Sequence, residues 1–308
     1  MNAERGPDLQ ADGNTMKRGT LVRGIGSFYT VRDAGKQEYT LRCKKKFRRD
    51  NMMPLVGDEV LFSPGQGEEH GWLEEILPRK TLCLRPPVAN VTKLVIVIAP
   101  VPEPDLLLVD RQISRAFSQG MDVLLVVNKC DLDTALAGKT ETEYMQTGIS
   151  VIAASARDGT GLDEVRKALA GEALCCFTGQ SGAGKSTMLN ALLELNLETG
   201  SISRKISRGK NTTRHTELIE KNGIRVMDTA GFNLLDAEAE LAPEKLKERY
   251  PEFAPYEGKC RFRECLHDRE PGCAVTEAVR SGLISEGRFE RYRTLLAETR
   301  MKWRERYD

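Results

Sequence analysis

The run 179–187 reads GQSGAGKST, and its residue types suit one job. Gly179, Gln180, Ser181, Gly182, Ala183, Gly184, Lys185, Ser186 and Thr187 fit the pattern G-x-x-x-x-G-K-[ST]. The glycines let the backbone curl so that its amides face an anion, and the helix expected from Gly184 onward turns its positive end to the same point. Lys185 then reaches the β- and γ-phosphates of a nucleotide, and Ser186 is placed to ligate Mg²⁺. Such a loop binds phosphate but does not choose a base. Asn128, Lys129 and Asp131, in NKCD, supply the choice. A carboxylate at Asp131 accepts from N1–H and the exocyclic amine of guanine, whereas adenine offers no such pair. Adenine would strand the carboxylate, a mismatch that can discriminate by about 10⁴. Asn128 is expected to tie the loop together, and the Lys129 stem to cover one face of the base. Downstream, Ser155 and Ala156 follow another apolar run, and the Ala156 N–H is expected to donate to guanine O6.

Asp228-Thr229-Ala230-Gly231 follows the apolar run IRVM. Asp228 is expected to hold Mg²⁺ through water and the Gly231 amide to touch the γ-phosphate. Ras-like enzymes carry a glutamine after that glycine, which orients the attacking water. Here the residue is Phe232, whose ring cannot hydrogen-bond water, so intrinsic hydrolysis is expected to be slow. The stretch 209–218, GKNTTRHTEL, reads as the first switch, with Thr213 as the Mg²⁺ and γ-phosphate ligand and Thr212 as the alternative. Lys185, Thr213 and Gly231 are the catalytic candidates.

A second constellation sits near the end. Cys260, Cys265, His267 and Cys273 fall within 14 residues and use one of only three histidines. Three thiolates and an imidazole match a closed tetrahedral Zn²⁺ site that folds a core-poor loop rather than catalysing; reduced cysteines in a loop are the plain alternative.

The elements that must position these groups follow from hydropathy. The runs at 94–99, 123–127, 149–154, 174–178 and 224–228 are short, unalternating and β-branched, as strands buried on both faces of a parallel sheet are. Helical patterns at 106–118, 136–146, 161–170 and 185–195 alternate with them, which implies a doubly wound α/β domain. Ahead of it, residues 18–83 read as short strands separated by glycine turns, a pattern of oligonucleotide-binding (OB) type or of an SH3-like barrel. CLRPPVAN reads as a linker, because Pro86 and Pro87 cannot continue a strand. The expected division is a disordered tail at 1–17, a barrel at 18–83, the α/β domain at 84–239 and a helical zinc unit at 240–308. Met16 is a second candidate start.

Net charge is +1, yet residues 42–49 (RCKKKFRR) hold six basic residues and no acid, and 201–216 hold five and no acid. Each run alone suits a solvated loop; two together favour a polyanionic partner. No run approaches 18 uncharged apolar residues, which excludes a helical membrane span. With no signal peptide and no disulfide-scaffold density, a cytoplasmic protein is expected, and nothing suggests an obligate dimer, so a monomer is expected.

The motifs run NKCD, SAR, GQSGAGKS, DTAG, whereas ordinary GTPases place the phosphate loop first. Barrel, permuted GTPase and a C-x₄-C-x-H-x₅-C cluster together resemble the ribosome small-subunit-dependent GTPase A family, from about residue 18 to 300. VGDEV (56–60), RPPVANV (85–91) and CRFRECLHDREPGCAV (260–275) share in the resemblance. It implies a circularly permuted P-loop GTPase domain with an OB-type barrel and a C-terminal zinc domain. It also implies GTP/GDP with Mg²⁺, one structural Zn²⁺, and action late in maturation of the 30S ribosomal subunit, on 16S rRNA, with hydrolysis stimulated by that subunit. This chain departs at Asn211, where related sequences often carry a histidine implicated in stimulated hydrolysis, and at Ala230, commonly proline. Asn211 can hold a water but cannot act as a base at neutral pH, and His215 is more simply an ordinary loop or strand residue. No general base is assigned. Because the cluster follows the second switch directly, nucleotide state is expected to reach it. The competing classes are an RNA-binding assembly factor that uses GTP as a conformational ligand with incidental turnover, and a P-loop ATPase or kinase in which NKCD is accidental.

Overall fold

The computed structural model describes residues 10–11, 14–49, 52–65, 69–84, 87–171, 173–195, 216–228 and 241–306. After a minimal pair, β1 (Gln10–Ala11) and β2 (Asn14–Thr15), five strands form a closed barrel: β3 (Lys17–Ile25), β4 (Phe28–Asp33), β5 (Glu38–Cys43), β6 (Glu59–Ser63) and β7 (Gly71–Ile76). Their order around the barrel is β3-β4-β5-β7-β6, closed by β6 on β3, with β5 and β7 parallel. That Greek-key order, with the short helix α1 (Lys45–Arg49) between the third and fourth barrel strands, is the OB arrangement and resolves the ambiguity with an SH3-like barrel. Alternate residues Leu21, Val31, Leu41, Val60, Phe62 and Leu73 fill the interior. Much of the basic run 42–49 is therefore α1 and the end of β5.

The segment expected to be a linker is instead partly paired. β8 (Leu82–Leu84) and β9 (Pro87–Ala89) form an antiparallel ladder with Leu84 opposite Pro87. Proline is tolerated there because it opens a short strand, where no ladder donor is required.

The second unit is a sheet ordered β12-β11-β10-β13-β15-β14. β10 (Lys93–Ile98), β11 (Asp122–Val127), β12 (Ser150–Ala153), β13 (Leu174–Thr178) and β15 (Ile224–Asp228) are parallel, and β14 (Glu217–Lys221) returns antiparallel against β15. α2 (Leu106–Ser118) and α3 (Ala135–Tyr144) cover one face; α4 (Leu162–Leu169) and α5 (Lys185–Leu193) cover the other. Along β10, Leu94, Ile96 and Ile98 join the first core while Val95 and Val97 join the second, which is why the run is continuously apolar. β14 also meets the barrel, pairing Glu217 with Arg23 of β3, so barrel and α/β unit share one continuous sheet.

The C-terminal unit packs α6 (Pro243–Leu246), α7 (Ala274–Arg280) and α8 (Glu286–Arg304) with two 3₁₀ turns around Tyr250, Phe253, Phe289 and Tyr292.

Candidate nucleotide site and metal centre

The strand order reverses between β10 and β13, and loops leaving the C-terminal ends of parallel strands there converge on one crevice. The phosphate-type loop leaves β13 at this point. Gly179 has φ +131°, and a Cβ there would lie 2.1 Å from the Val97 carbonyl oxygen of β10. Gly184, φ +92°, precedes α5, and its Cβ would lie 2.3 Å from Asn128 Nδ2. Both positions demand glycine, because the loop is pressed against the β10 backbone at Gly179 and against the Asn128 side chain at Gly184.

The base-type loop arrives from β11. Asn128 is buried; its Nδ2 donates to the Ala183 carbonyl at 2.8 Å, and its Oδ1 accepts the Ala156 N–H at 3.1 Å. One amide thus joins the 179–187 loop to the Ser155-Ala156 loop. The Ala156 N–H assigned to guanine O6 already has an acceptor, and contact with a base requires it to be shared or redirected. Lys129 lies along the phosphate-type loop, with Nζ donating to Gly182 O at 2.8 Å and Val101 O at 2.6 Å. Asp131 is exposed three residues past Asn128, and Ser155 is fully buried with its N–H on Thr160 O.

Lys185 is half-buried and donates to the carbonyls of Gly179 and Gln180 at 2.8 and 2.9 Å. Burial lowers its pKa, and its partners among the described residues are neutral carbonyl dipoles that a phosphate can displace. Ser186 is half-buried, Ser181 and Thr187 are exposed, and Gln180 Oε1 accepts the Asp105 N–H at 3.2 Å. Asp228 ends β15, beside β13, although its side chain is not described. Thr213, Thr212, Asn211, His215, Ala230, Gly231 and Phe232 lie outside the described residues, so the switches and two of the three Mg²⁺ candidates carry no geometry.

Two residues in contact with this site were not singled out from the sequence. Thr178, the last residue before Gly179, accepts a hydrogen bond from Gln112 Nε2 of α2 at 2.9 Å, with both side chains buried. The only signal was a glutamine on an otherwise apolar helical stripe.

The second constellation also assembles. The ligand atoms of Cys260, Cys265, His267 and Cys273 all lie within 4.8 Å of one another. Cys260 Sγ and Cys273 Sγ are 4.0 Å apart, and His267 Nδ1 is 3.6 and 3.4 Å from them. A Zn²⁺ tetrahedron with bonds of about 2.3 Å to sulfur and about 2.1 Å to nitrogen has edges near 3.8 and 3.6 Å, close to the three separations among Cys260, His267 and Cys273, and Cys265 is near enough to complete the set. The Ala274 and Thr276 N–H groups donate to Cys260 Sγ and Cys273 Sγ, both at 3.4 Å, as suits thiolates. Burial pushes the Cys265 thiol up to about 12 and His267 down to about 4. The imidazole is therefore a ready neutral donor, while the Cys265 thiol needs a cation to ionise.

Comparison with known proteins agrees with this architecture. The RsgA GTPase family model matches residues 76–238 and the RsgA N-terminal domain model residues 18–73. A Moorella thermoacetica protein named small ribosomal subunit biogenesis GTPase RsgA is 43% identical over 91% of this chain and 96% of its own. Its namesake from Ruminiclostridium cellulolyticum is 42% identical over 90% of this chain and 92% of its own. Among solved structures, YjeQ from Thermotoga maritima aligns with a TM-score of 0.79 at 31% identity, covering 92% of this chain and 98% of that one. YloQ, described as a circularly permuted GTPase, aligns with the same score at 27% identity over 93% of this chain and 96% of its own. With family models matching across the barrel and the α/β unit, and relatives at 42–43% identity over nine-tenths of its length, the chain belongs to the RsgA family of circularly permuted GTPases.

Proposed function

We propose that this GTP hydrolase acts late in maturation of the small ribosomal subunit, with the subunit itself stimulating turnover. The observation that carries the guanine-nucleotide reading is Asn128, whose side chain bonds both the phosphate-type loop and the Ser155-Ala156 loop. It makes NKCD part of the same crevice as GQSGAGKST, which an accidental NKCD would not do. In this reading Gly179 to Thr187 hold the phosphates, Lys185 leaves its two carbonyls for the β- and γ-oxygens, and Asp131 selects guanine. Ser186, Thr213 and Asp228 hold Mg²⁺, and Cys260, Cys265, His267 and Cys273 hold Zn²⁺. The Gly231 amide and Thr213 contact the γ-phosphate. A cytoplasmic location follows from the role, and among the described residues no helix is long and apolar enough to cross a membrane.

For the partner, the relatives' name points to the small subunit, and the barrel surface supports an RNA contact. Phe28, Arg42 and Trp72 stand in register across β4, β5 and β7. The two aromatics are 39% and 44% exposed, the Arg42 guanidinium lies 5.3 Å from the Phe28 ring centroid, and the His70 and Phe28 rings form an edge-type pair with centroids 4.9 Å apart. Exposed Lys45 and Lys46 of α1 follow directly after β5. Aromatics beside cations suit ribosomal RNA such as 16S rRNA, and this is the face by which OB barrels bind oligonucleotides.

The test is single-turnover GTP hydrolysis with and without small subunits. Stimulation of tenfold or more is expected, because Phe232 cannot orient water unaided. Hydrolysis unmoved by the subunit would favour the second reading, in which GTP is a conformational ligand of an RNA-binding assembly factor.

A further inference from the structure

α2 is held on two faces by polar contacts that packing alone does not require. Facing the sheet, Gln112 donates to Thr178 at the root of the phosphate-type loop, while its buried Oε1 has no hydrogen-bond partner among the described residues. An apolar side chain would fill that core position without stranding an acceptor, so Gln112 is not explained by burial. About 200° around the helix, fully buried Asp110 accepts from Arg288 Nη1 at 2.6 Å, from Arg291 Nε at 2.5 Å and from the Tyr144 hydroxyl at 2.7 Å. Arg288 also donates to Glu252 at 2.6 Å and lies 4.9 Å from the ring centroids of Tyr144 and Tyr250. Arg288 and Arg291 belong to α8, and Glu252 precedes the Cys/His loop, so the C-terminal unit is fastened to the helix that carries Gln112.

We propose that α2 is a relay in which Gln112 is a positioning residue for the phosphate loop and the seating of Arg288 and Arg291 on Asp110 sets that loop for hydrolysis. The relay rests on the GTPase reading of the crevice and adds a regulatory input to it. Its logic is that a buried ion network does not stretch. Losing one partner leaves a buried charge uncompensated, so the C-terminal unit is either seated or released, and a rigid helix passes that choice on. Nucleotide state thereby reaches α8 through packed side chains as well as through the chain between β15 and α6. A partner that grips the C-terminal unit acts on turnover by the same route.

The test uses the full chain with Gln112→Met and Thr178→Val, which each remove one side of the bond at nearly constant volume, and Thr178→Ser, which keeps the hydroxyl. Single-turnover hydrolysis, the thermal midpoint, and hydrogen exchange across Glu286–Arg304 with GDP and a non-hydrolysable GTP analogue are measured. Gln112→Met and Thr178→Val are expected to slow hydrolysis about tenfold. The midpoint should stay within about 2 °C or rise for Gln112→Met, whereas Thr178→Val, which strands the buried Gln112 amide, should lower it by a few degrees without loss of folded protein at the assay temperature. Both should erase the nucleotide-dependent difference in α8 exchange, and Thr178→Ser should retain it. The double variant should be no slower than either single one. Unchanged turnover, a loss that merely tracks lost folded protein, or an exchange difference that survives in both variants overturns the relay. Should Gln112→Met fail to fold, Thr178→Val and Thr178→Ser carry the same comparison. A wild-type chain without guanine preference sinks the GTPase reading and the relay together; an intact wild type with unaltered variants sinks the relay alone.

Discussion

Asn128 spends both ends of its amide inside the protein, on Ala183 O and Ala156 N, so in the proposed site base recognition is assigned to the exposed Asp131. Asp131→Asn should therefore exchange acceptors for donors and turn preference from GDP toward xanthosine diphosphate. The expected loss for GDP approaches 10³- to 10⁴-fold by titration calorimetry, and an unchanged preference would refute the assignment. Gly184 gives a second prediction. A methyl group 2.3 Å from Asn128 Nδ2, on backbone with φ +92°, must push the phosphate loop away from the base loop. Gly184→Ala is expected to weaken GDP binding at least tenfold while the barrel's far-UV spectrum is retained; wild-type affinity would show that the two loops need not touch.

At the scale of elements, the parallel strands and their helices were legible because burial on both faces writes an unbroken apolar run, and α2 is found at the bounds its pattern indicated. What stayed hidden depended on partners distant in sequence. β14 is a half-exposed strand, ELIEK, whose identity comes from pairing with β15 and Arg23. β9 begins with a proline and reads as linker until Val88 is seen bridged to Val56. The Asp110–Arg288 contact joins residues 178 positions apart, beyond any local pattern. The Cys/His cluster was legible from spacing, and the separations among Cys260, His267 and Cys273 suit the zinc expectation. The full chain should carry one zinc by elemental analysis. Strong chelation or Cys273→Ser should lower helix content and abolish the separate protection of α8 in hydrogen exchange. Full helicity after complete metal removal would assign the four residues a merely structural proximity.

For the whole molecule, three units are joined by different means: barrel to α/β sheet through β3 and β14, and α/β sheet to C-terminal helices through α2. The first junction includes Arg23–Glu217 at 3.8 Å and Lys36–Glu220 at 3.4 Å, exposed pairs that salt weakens. β14 starts within the first-switch segment 209–218, so a partner on the barrel lies one strand away from it. If the barrel face contacts RNA, small-subunit association should fall steeply with salt. Trp72→Ala combined with replacement of Lys45 and Lys46 should weaken that association about tenfold or more without changing GDP affinity. Binding that survives both salt and substitution would place the contact elsewhere.

All of this depends on loops drawn from permuted segments making one guanine-nucleotide site. Titration calorimetry of the purified chain with Mg²⁺, comparing GDP and GTP with ADP and ATP, tests that directly. Guanine nucleotides are predicted to bind at least a hundredfold more tightly than their adenine counterparts, an order of magnitude set by the stranded Asp131 carboxylate. Equal affinity for the two bases, or no binding to either, would contradict the account.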